Sequence, residues 1–320
     1  MTELIVSTPL RARLNWKYEP LLHRVQSLYH RSKNTQWNAE TDVPWDTEVG
    51  FGRPLPDDSG YAVAAFERSP LAREGREAWD AFRWEFQSWM VSQFLHGEQG
   101  AMLAAARLVE VVPEVESKSF AASQVLDEAR HVEAFSRYLA ENVPASYEVS
   151  APLASLLTDS LADSRWDMTA LGMQIMVEAL ALAAFRLADK TFHDDLIRRI
   201  CRLVVRDEAR HISYGVLLLQ PAYREISSTE LAEREEFVLE AAQLICRRFL
   251  LTDVWERLGV DIGAGTQFAR VDPLMIKYRQ AVFSKIISSL SGIGLMTERV
   301  QNGLASLGLL GFGSGRAGQR

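Results

Sequence analysis

Apolar residues recur at helical spacing over most of the chain. Between about Pro70 and Gly259 the hydrophobic positions form long stripes three and four residues apart, the period of an amphipathic helix, and no series of alternating apolar and polar residues marks strands. The stripes break near Pro113, across Pro144–Pro152, near Lys190–Asp194 and near Ser227. The pattern therefore predicts helices over roughly 71–112, 114–141, 165–189, 194–219 and 228–258, with two weaker ones over 273–290 and 294–307. Upstream, Tyr18–His30 carries a helical pattern, but Thr41-Asp-Val-Pro44 and Gly52-Arg-Pro-Leu-Pro56 are turn-rich. The tail from Gly311 to Arg320 is rich in glycine. The expected organisation is all-α: a wrapping extension over 1–70, a helical bundle over 71–258, accessory helices over 259–310 and a disordered tail over 311–320.

Within the bundle region a short motif repeats. Leu126-Asp-Glu-Ala-Arg-His131 returns as Val205-Arg-Asp-Glu-Ala-Arg-His211, both containing Asp-Glu-Ala-Arg-His. An apolar helix with one isolated glutamate precedes each copy: Glu98 in Phe94-Leu-His-Gly-Glu-Gln-Gly-Ala-Met102, and Glu178 in Met173-Gln-Ile-Met-Val-Glu-Ala-Leu-Ala181. Glu98 precedes Glu128 by 30 residues, and Glu178 precedes Glu208 by the same 30.

That interval has a geometric consequence. Pro113 lies midway between Glu98 and Glu128, and His193 midway between Glu178 and Glu208. A hairpin turning there brings each lone glutamate back level with its Glu-x-x-His, because both arms rise equally per residue. The glutamate and histidine of each motif, three residues apart, share a helix face. Two such hairpins packed antiparallel would gather Glu98, Glu128, His131, Glu178, Glu208 and His211 in one layer of the core.

Both lone glutamates stand on apolar faces, where an ionised carboxylate is costly unless paired or bound to metal. Four carboxylates balance two divalent cations. A single Glu-x-x-His is most often a solvated helix face; two copies with matched buried glutamates are explained by a dinuclear site. Asp127 and Asp207, each beside a motif, suit the role of orienting a histidine, with Arg130 and Arg210 neutralising them. His23, His30, His96 and His193 have no matching partners, and Cys201 reads as a small core residue.

Composition narrows the chemistry further. The chain has 320 residues, 48% of them hydrophobic, enough for a full core. Two cysteines, Cys201 and Cys246, are too few for a disulfide scaffold or a thiolate metal cluster, so any metal takes oxygen and nitrogen ligands. The net charge of -7 is spread over mixed-sign segments, which argues against a nucleic-acid partner. No signal-peptide pattern and no uncharged run of membrane-spanning length occur, and the expected location is the cytoplasm.

Glu98, Glu128-Ala-Arg-His131, Glu178 and Glu208-Ala-Arg-His211 together resemble the ligand pattern of the ferritin-like di-iron carboxylate superfamily, over about residues 71–220. The resemblance implies a four-helix-bundle core, two iron ions cycling between Fe2+ and Fe3+ or a manganese–iron pair, and O2 as co-substrate. Departures separate the branches. Phe135 stands where radical-generating reductase subunits have a tyrosine. Met173 stands where manganese–iron ligand-binding oxidases carry the tyrosine of their crosslink, and Val204 where arylamine N-oxygenases carry a third histidine. The segment Trp37-Asn…Asp42-Val-Pro-Trp45-Asp resembles leaders of oxygenases in this superfamily. Ferritins are shorter, and the excess length here suggests an enclosed organic pocket.

The expected function is an oxygenase or oxidase that hydroxylates, N-oxygenates or desaturates a small, mostly apolar substrate, with electrons from a reductase or ferredoxin. Phe94, Met102, Phe135, Gln174, Leu182 and Phe185, about one turn from the ligands, are the pocket candidates; plain core packing is the alternative for each. The competing functions are a ferroxidase or other metal-handling protein, a manganese–iron ligand-binding oxidase, and a binding protein with a structural metal. A homodimer is compatible with the sequence.

Overall fold

Two helical hairpins form the centre of the molecule. In the computed structural model the described residues are 4–7, 12–16, 18, 22–56 and 60–311; apart from Gly311, the tail expected to be disordered lies outside them. No strand occurs among the described residues. The first hairpin pairs α3 (Arg76–Val111) with α4 (Val115–Asn142). Its turn is extended at Val112 and Glu114 around Pro113, which has no N–H to continue a helix. The second pairs α7 (Glu178–Thr191) with α8 (Asp195–Ala222). α7 continues a short α6 (Trp166–Ala170) through one π-helical segment, Leu171–Val177, whose flanking residues keep right-handed helical angles.

The turn of the second hairpin is joined to the open end of the first. Asp194 caps α8 by accepting from the Ile197 N–H at 2.9 Å, and its other oxygen accepts from Gln87 Nε2 at 2.6 Å and from the Tyr138 hydroxyl at 2.7 Å. One aspartate thus satisfies an orphan helix-terminal donor and ties α8 to α3 and α4.

The remaining helices cover this core. α1 (His23–Asn34) lies on α4 and α8, α12 (Pro273–Ile293) on α7 and α8, and α5 (Ala151–Ala162) with α9 (Ser228–Arg248) on the π-helical segment. α13 (Glu298–Ser306) packs on α9, α10 (Thr252–Arg257) on α11 (Ile262–Val271), and α2 (Gly60–Arg68) on α12.

Three helices, α2, α5 and α11, fall where the pattern predicts no helix. Pro152, read as an interruption, sits in the first turn of α5, where its missing N–H has no helical partner to lose. α11 opens with Ile262-Gly-Ala-Gly265, glycines that suggest a loop; Asp261 caps it by accepting from the Ala264 N–H. The helix expected over 228–258 instead breaks after Arg248, where Leu251 takes the left-handed conformation, φ 58°, ψ 35°. The break is buried, so the apolar pattern runs through it without a sign. The stretch Trp166–Thr191, though interrupted by charged residues, is long and apolar enough to cross a membrane by length and composition; 94% of its apolar window is buried in the bundle.

Candidate metal centre

The two hairpins bring the six matched residues together, and none is more than 4% exposed. His131 Nδ1 lies 3.2 Å from Glu98 Oε2, 3.1 Å from Glu128 Oε2 and 3.5 Å from Glu208 Oε1. His211 Nδ1 lies 3.1 Å from Glu128 Oε1 and 3.4 Å from Glu208 Oε1. Glu178 reaches the cluster from the first residue after the π-helical segment. Ligand atoms of Glu98, Glu128, His131 and Glu208 lie within 4.8 Å of one another, as do those of Glu128, Glu178 and His211. Glu128 belongs to both groups.

The donor set fits a pair of hard or borderline cations. Glu178 Oε2, both Glu208 oxygens and His211 Nδ1 are buried without a hydrogen-bond partner, a cost that metal coordination removes. Burial pushes Glu98 and Glu178 well above the usual carboxylate range, and neighbouring carboxylates push the same way. Burial also raises Glu208, reinforced by Glu128. At Glu128 burial acts upward, but the attraction of His211 and His131, with the hydrogen bond from His131, holds the group well below its ordinary value. Burial alone would lower both histidines; the surrounding carboxylates, led by Glu98 for His131 and Glu128 for His211, raise them well above it. Like charges at this density share protons unless cations replace them.

Behind the histidines the motifs interlock. His131 on α4 sets its Nε2 3.1 Å from Asp207 of α8, and His211 on α8 sets its Nε2 3.2 Å from Asp127 of α4. Arg130 donates to Asp127 at 2.6 Å and to Asp207 at 3.0 Å; Arg210 donates to Asp207 at 2.5 Å and to Asp127 at 3.2 Å. Each aspartate thus turns the opposite histidine so that Nδ1 faces the carboxylates. The stretch after α1 seals the network: Gln36 Nε2 donates to Asp127 at 2.9 Å and Trp37 Nε1 to Asp207 at 2.7 Å.

One pocket meets the cluster. Glu98, Glu178 and Glu208 form its inner edge, Phe94, Leu153, Val177 and Phe249 its apolar walls, and Arg248 is also on its lining. Gly97 and Ala101 of α3 and Ala181 and Ala184 of α7, all small residues, also line it. The free volume is about 30 Å³, one water's share of the liquid, so a larger molecule enters only as lining side chains move.

Of the six candidates named from sequence, Phe94 lines this pocket; Met102, Phe135, Gln174, Leu182 and Phe185 do not. Phe135 and Phe185 stack against each other at 5.6 Å and against Phe94 at 5.8 and 4.5 Å, forming core behind its wall. Gln174 and Leu182 are buried and Met102 half-buried. A step of one turn along a ligand's own face leads along the bundle core, whereas the pocket is lined by small residues of α3 and α7. Gln124, four residues before Glu128, escaped notice: its Nε2 donates to Glu128 at 3.1 Å and to Glu178 at 2.8 Å. Arg248 left no sequence signal, since α9 lies outside the repeat.

An all-α core of two antiparallel hairpins with a buried box of four glutamates and two histidines defines a ferritin-like di-metal carboxylate protein. The sequence model of the family described as P-aminobenzoate N-oxygenase AurF matches residues 22–294, and the chain belongs to that family. Val204, in place of a third histidine, does not remove it from the family. Among solved structures, a tyrosine-to-phenylalanine mutant of an R2-like ligand-binding oxidase, anaerobically reconstituted with a Mn/Fe cofactor, is 18% identical with a TM-score of 0.57. The alignment covers 86% of this chain and 94% of that one. A valine-to-alanine mutant of an R2-like ligand-binding oxidase, likewise reconstituted, gives 18% and 0.54 over the same shares. These likenesses concern the fold. No curated protein matches. The protein is an O2-dependent non-haem di-iron oxidoreductase.

Proposed function

We propose that Glu98, Glu128, His131, Glu178, Glu208 and His211 hold the two metal ions and that the loaded protein transfers one oxygen atom of O2 to a small, mostly apolar amine. The observation that carries this reading is the burial of all six groups in one cluster, each histidine presenting Nδ1 to the carboxylates while an aspartate holds its Nε2. The N–H bond is chosen over C–H on the family's description.

When bound, the metals supply the site at which O2 is held and reduced. The chain supplies the rest. Asp127 and Asp207 fix the histidine rings, Gln124 holds Glu128 relative to Glu178, and the apolar walls keep bulk water from the cluster. Small residues beside Glu98 and Glu178 leave the side on which substrate approaches.

The reaction consumes O2, two electrons and two protons and returns one oxygen as water, so an external electron donor is required. A groove lined by Arg31, Arg199 and Arg206 around Trp37, whose indole is bonded to Asp207, supports a donor with an acidic face. The test is single turnover of the ferrous protein with 18O2 and an arylamine. The expected product carries labelled oxygen on nitrogen. Oxidation of iron without any oxygenated amine would favour a ferroxidase instead.

A further inference from the structure

Two spaces flank the seam between α3 and α5. The inner one is the pocket that meets Glu98, Glu178 and Glu208; the outer one is a groove of about 930 Å³, lined in part by Leu4, Ile5 and Val6. α3 serves both: Phe94, Gly97 and Ala101 line the pocket, while His96, Gly100 and Leu103, on the adjacent face of the same helix, line the groove. On α5 one stripe at four-residue spacing passes from the first space to the second, with Leu153 on the pocket and Leu157 and Leu161 on the groove.

At the crossing, Leu157 lies directly on Gly100, where a Cβ would stand 2.5 Å from its Cδ2. Gly97 is the opposite case: a Cβ there would meet nothing within 4 Å. Glycine is unfavourable inside a helix, yet α3 carries two within one turn, one admitting Leu157 and the other leaving space beside Glu98. The seam is tied at both ends. On one side Ser92 Oγ accepts from the Tyr147 N–H at 3.0 Å, Gln93 bonds Glu148 and Ser150 at 2.8 and 2.9 Å, and His96 Nε2 donates to the Tyr147 carbonyl at 2.9 Å. On the other, Arg107 donates to the Leu161 carbonyl. Between His96 and Arg107 no hydrogen bond joins α3 to α5 among the described residues, so the closure there is an apolar side chain on backbone. Moving that side chain breaks no polar contact.

We infer that Leu157 is the gate between groove and metal pocket, and that the gap opened when it swings off Gly100 sets the width of the molecule admitted. The pocket holds only about 30 Å³ as it stands, so a substrate enters by displacing a wall, and this wall has a large space on its far side. The inference deepens the oxygenase reading by naming a residue that selects its small, mostly apolar substrate by size. It concerns passage and not turnover.

The test is stopped-flow binding of two ligands of ferric iron, narrow azide and flat, wider 4-nitrocatechol, to the diferric full chain, with metal content measured alongside. In Leu157→Ala the on-rate and off-rate of 4-nitrocatechol should both rise by about fivefold or more, leaving Kd within about twofold, because a gate is passed in both directions and does not touch the bound ligand. Azide rates should change by less than about twofold, since a narrow ligand needs little opening. Leu157→Val should show the same pattern at smaller size, and it decides the matter if the alanine variant does not fold.

Unchanged 4-nitrocatechol rates overturn the gate and leave Leu157 on Gly100 as close packing. Azide accelerated as much as 4-nitrocatechol also overturns it, as general loosening of the bundle, and so does a changed Kd at constant on-rate, which would place Leu157 against the bound ligand. The gating pattern in a protein that oxygenates no amine would count against the proposed function and leave the gate standing; amine oxygenation with unaltered rates would do the reverse.

Discussion

Glu178 and Glu128 are the same side chain in the same cluster, yet their proton affinities are driven in opposite directions. Glu178 has burial and like charges on its side, whereas Glu128 has two histidines against it. Without metal, the raised groups Glu98, Glu178, Glu208, His131 and His211 hold protons to higher pH than in the unfolded chain. Their stabilisation is complete below the unfolded values and is lost as pH rises through the folded ones. Glu128, Asp127 and Asp207 are lowered and act in the opposite sense, losing their contribution as pH falls. Metal must displace the held protons, so affinity should climb with pH. The difference in Tm between loaded and metal-free protein should therefore widen between about pH 6 and 8, around the ordinary histidine value; a constant difference would contradict the proton inventory. The six residues were legible in the sequence because a motif and its spacing both repeat. Gln124 was not, since it acts through contacts made only after the hairpins close.

At the scale of elements, the π-helical segment Leu171–Val177 sets the register of Glu178. Such segments often occur at functional sites. Two glycines make room for it: a Cβ on Gly215 would stand 2.5 Å from the Gln174 Cβ, and one on Gly172 would stand 2.3 Å from Ser160 Oγ. By propensity alone, Gly215→Ala in the interior of α8 would stabilise the protein by up to about 1 kcal/mol. The steric conflict reverses the sign, and the variant should be destabilised by about 1–3 kcal/mol in chemical denaturation and hold less metal. A stabilised variant with full metal content would show that the segment yields freely. The main bundle helices were readable from their stripes, but the π-helical segment was not, because a wide turn inside a stretch buried on all sides leaves the hydrophobic pattern unchanged. The same reason hides the break at Leu251, while α5 was obscured by a proline that its first turn tolerates.

For the whole molecule, the bundle is one layer of chemistry inside a large apolar support. Trp166–Thr191, apolar enough for a membrane by composition, is instead the helix that carries Glu178 through the core. α1 and the stretch after it, which pattern analysis treats only as a wrap, contribute Gln36 and Trp37 to the aspartates behind the histidines. The site is thus assembled from distant parts of the chain, and its central claim is a dinuclear metal centre held by six side chains. The most direct test is the metal content per chain of wild type and Glu178→Ala after anaerobic loading with ferrous iron and removal of excess. The account predicts about two ions per wild-type chain, as in other bundles of this architecture, and clearly fewer in Glu178→Ala at equal folded fraction. Two ions retained by Glu178→Ala, or a wild-type chain that holds none, would contradict it.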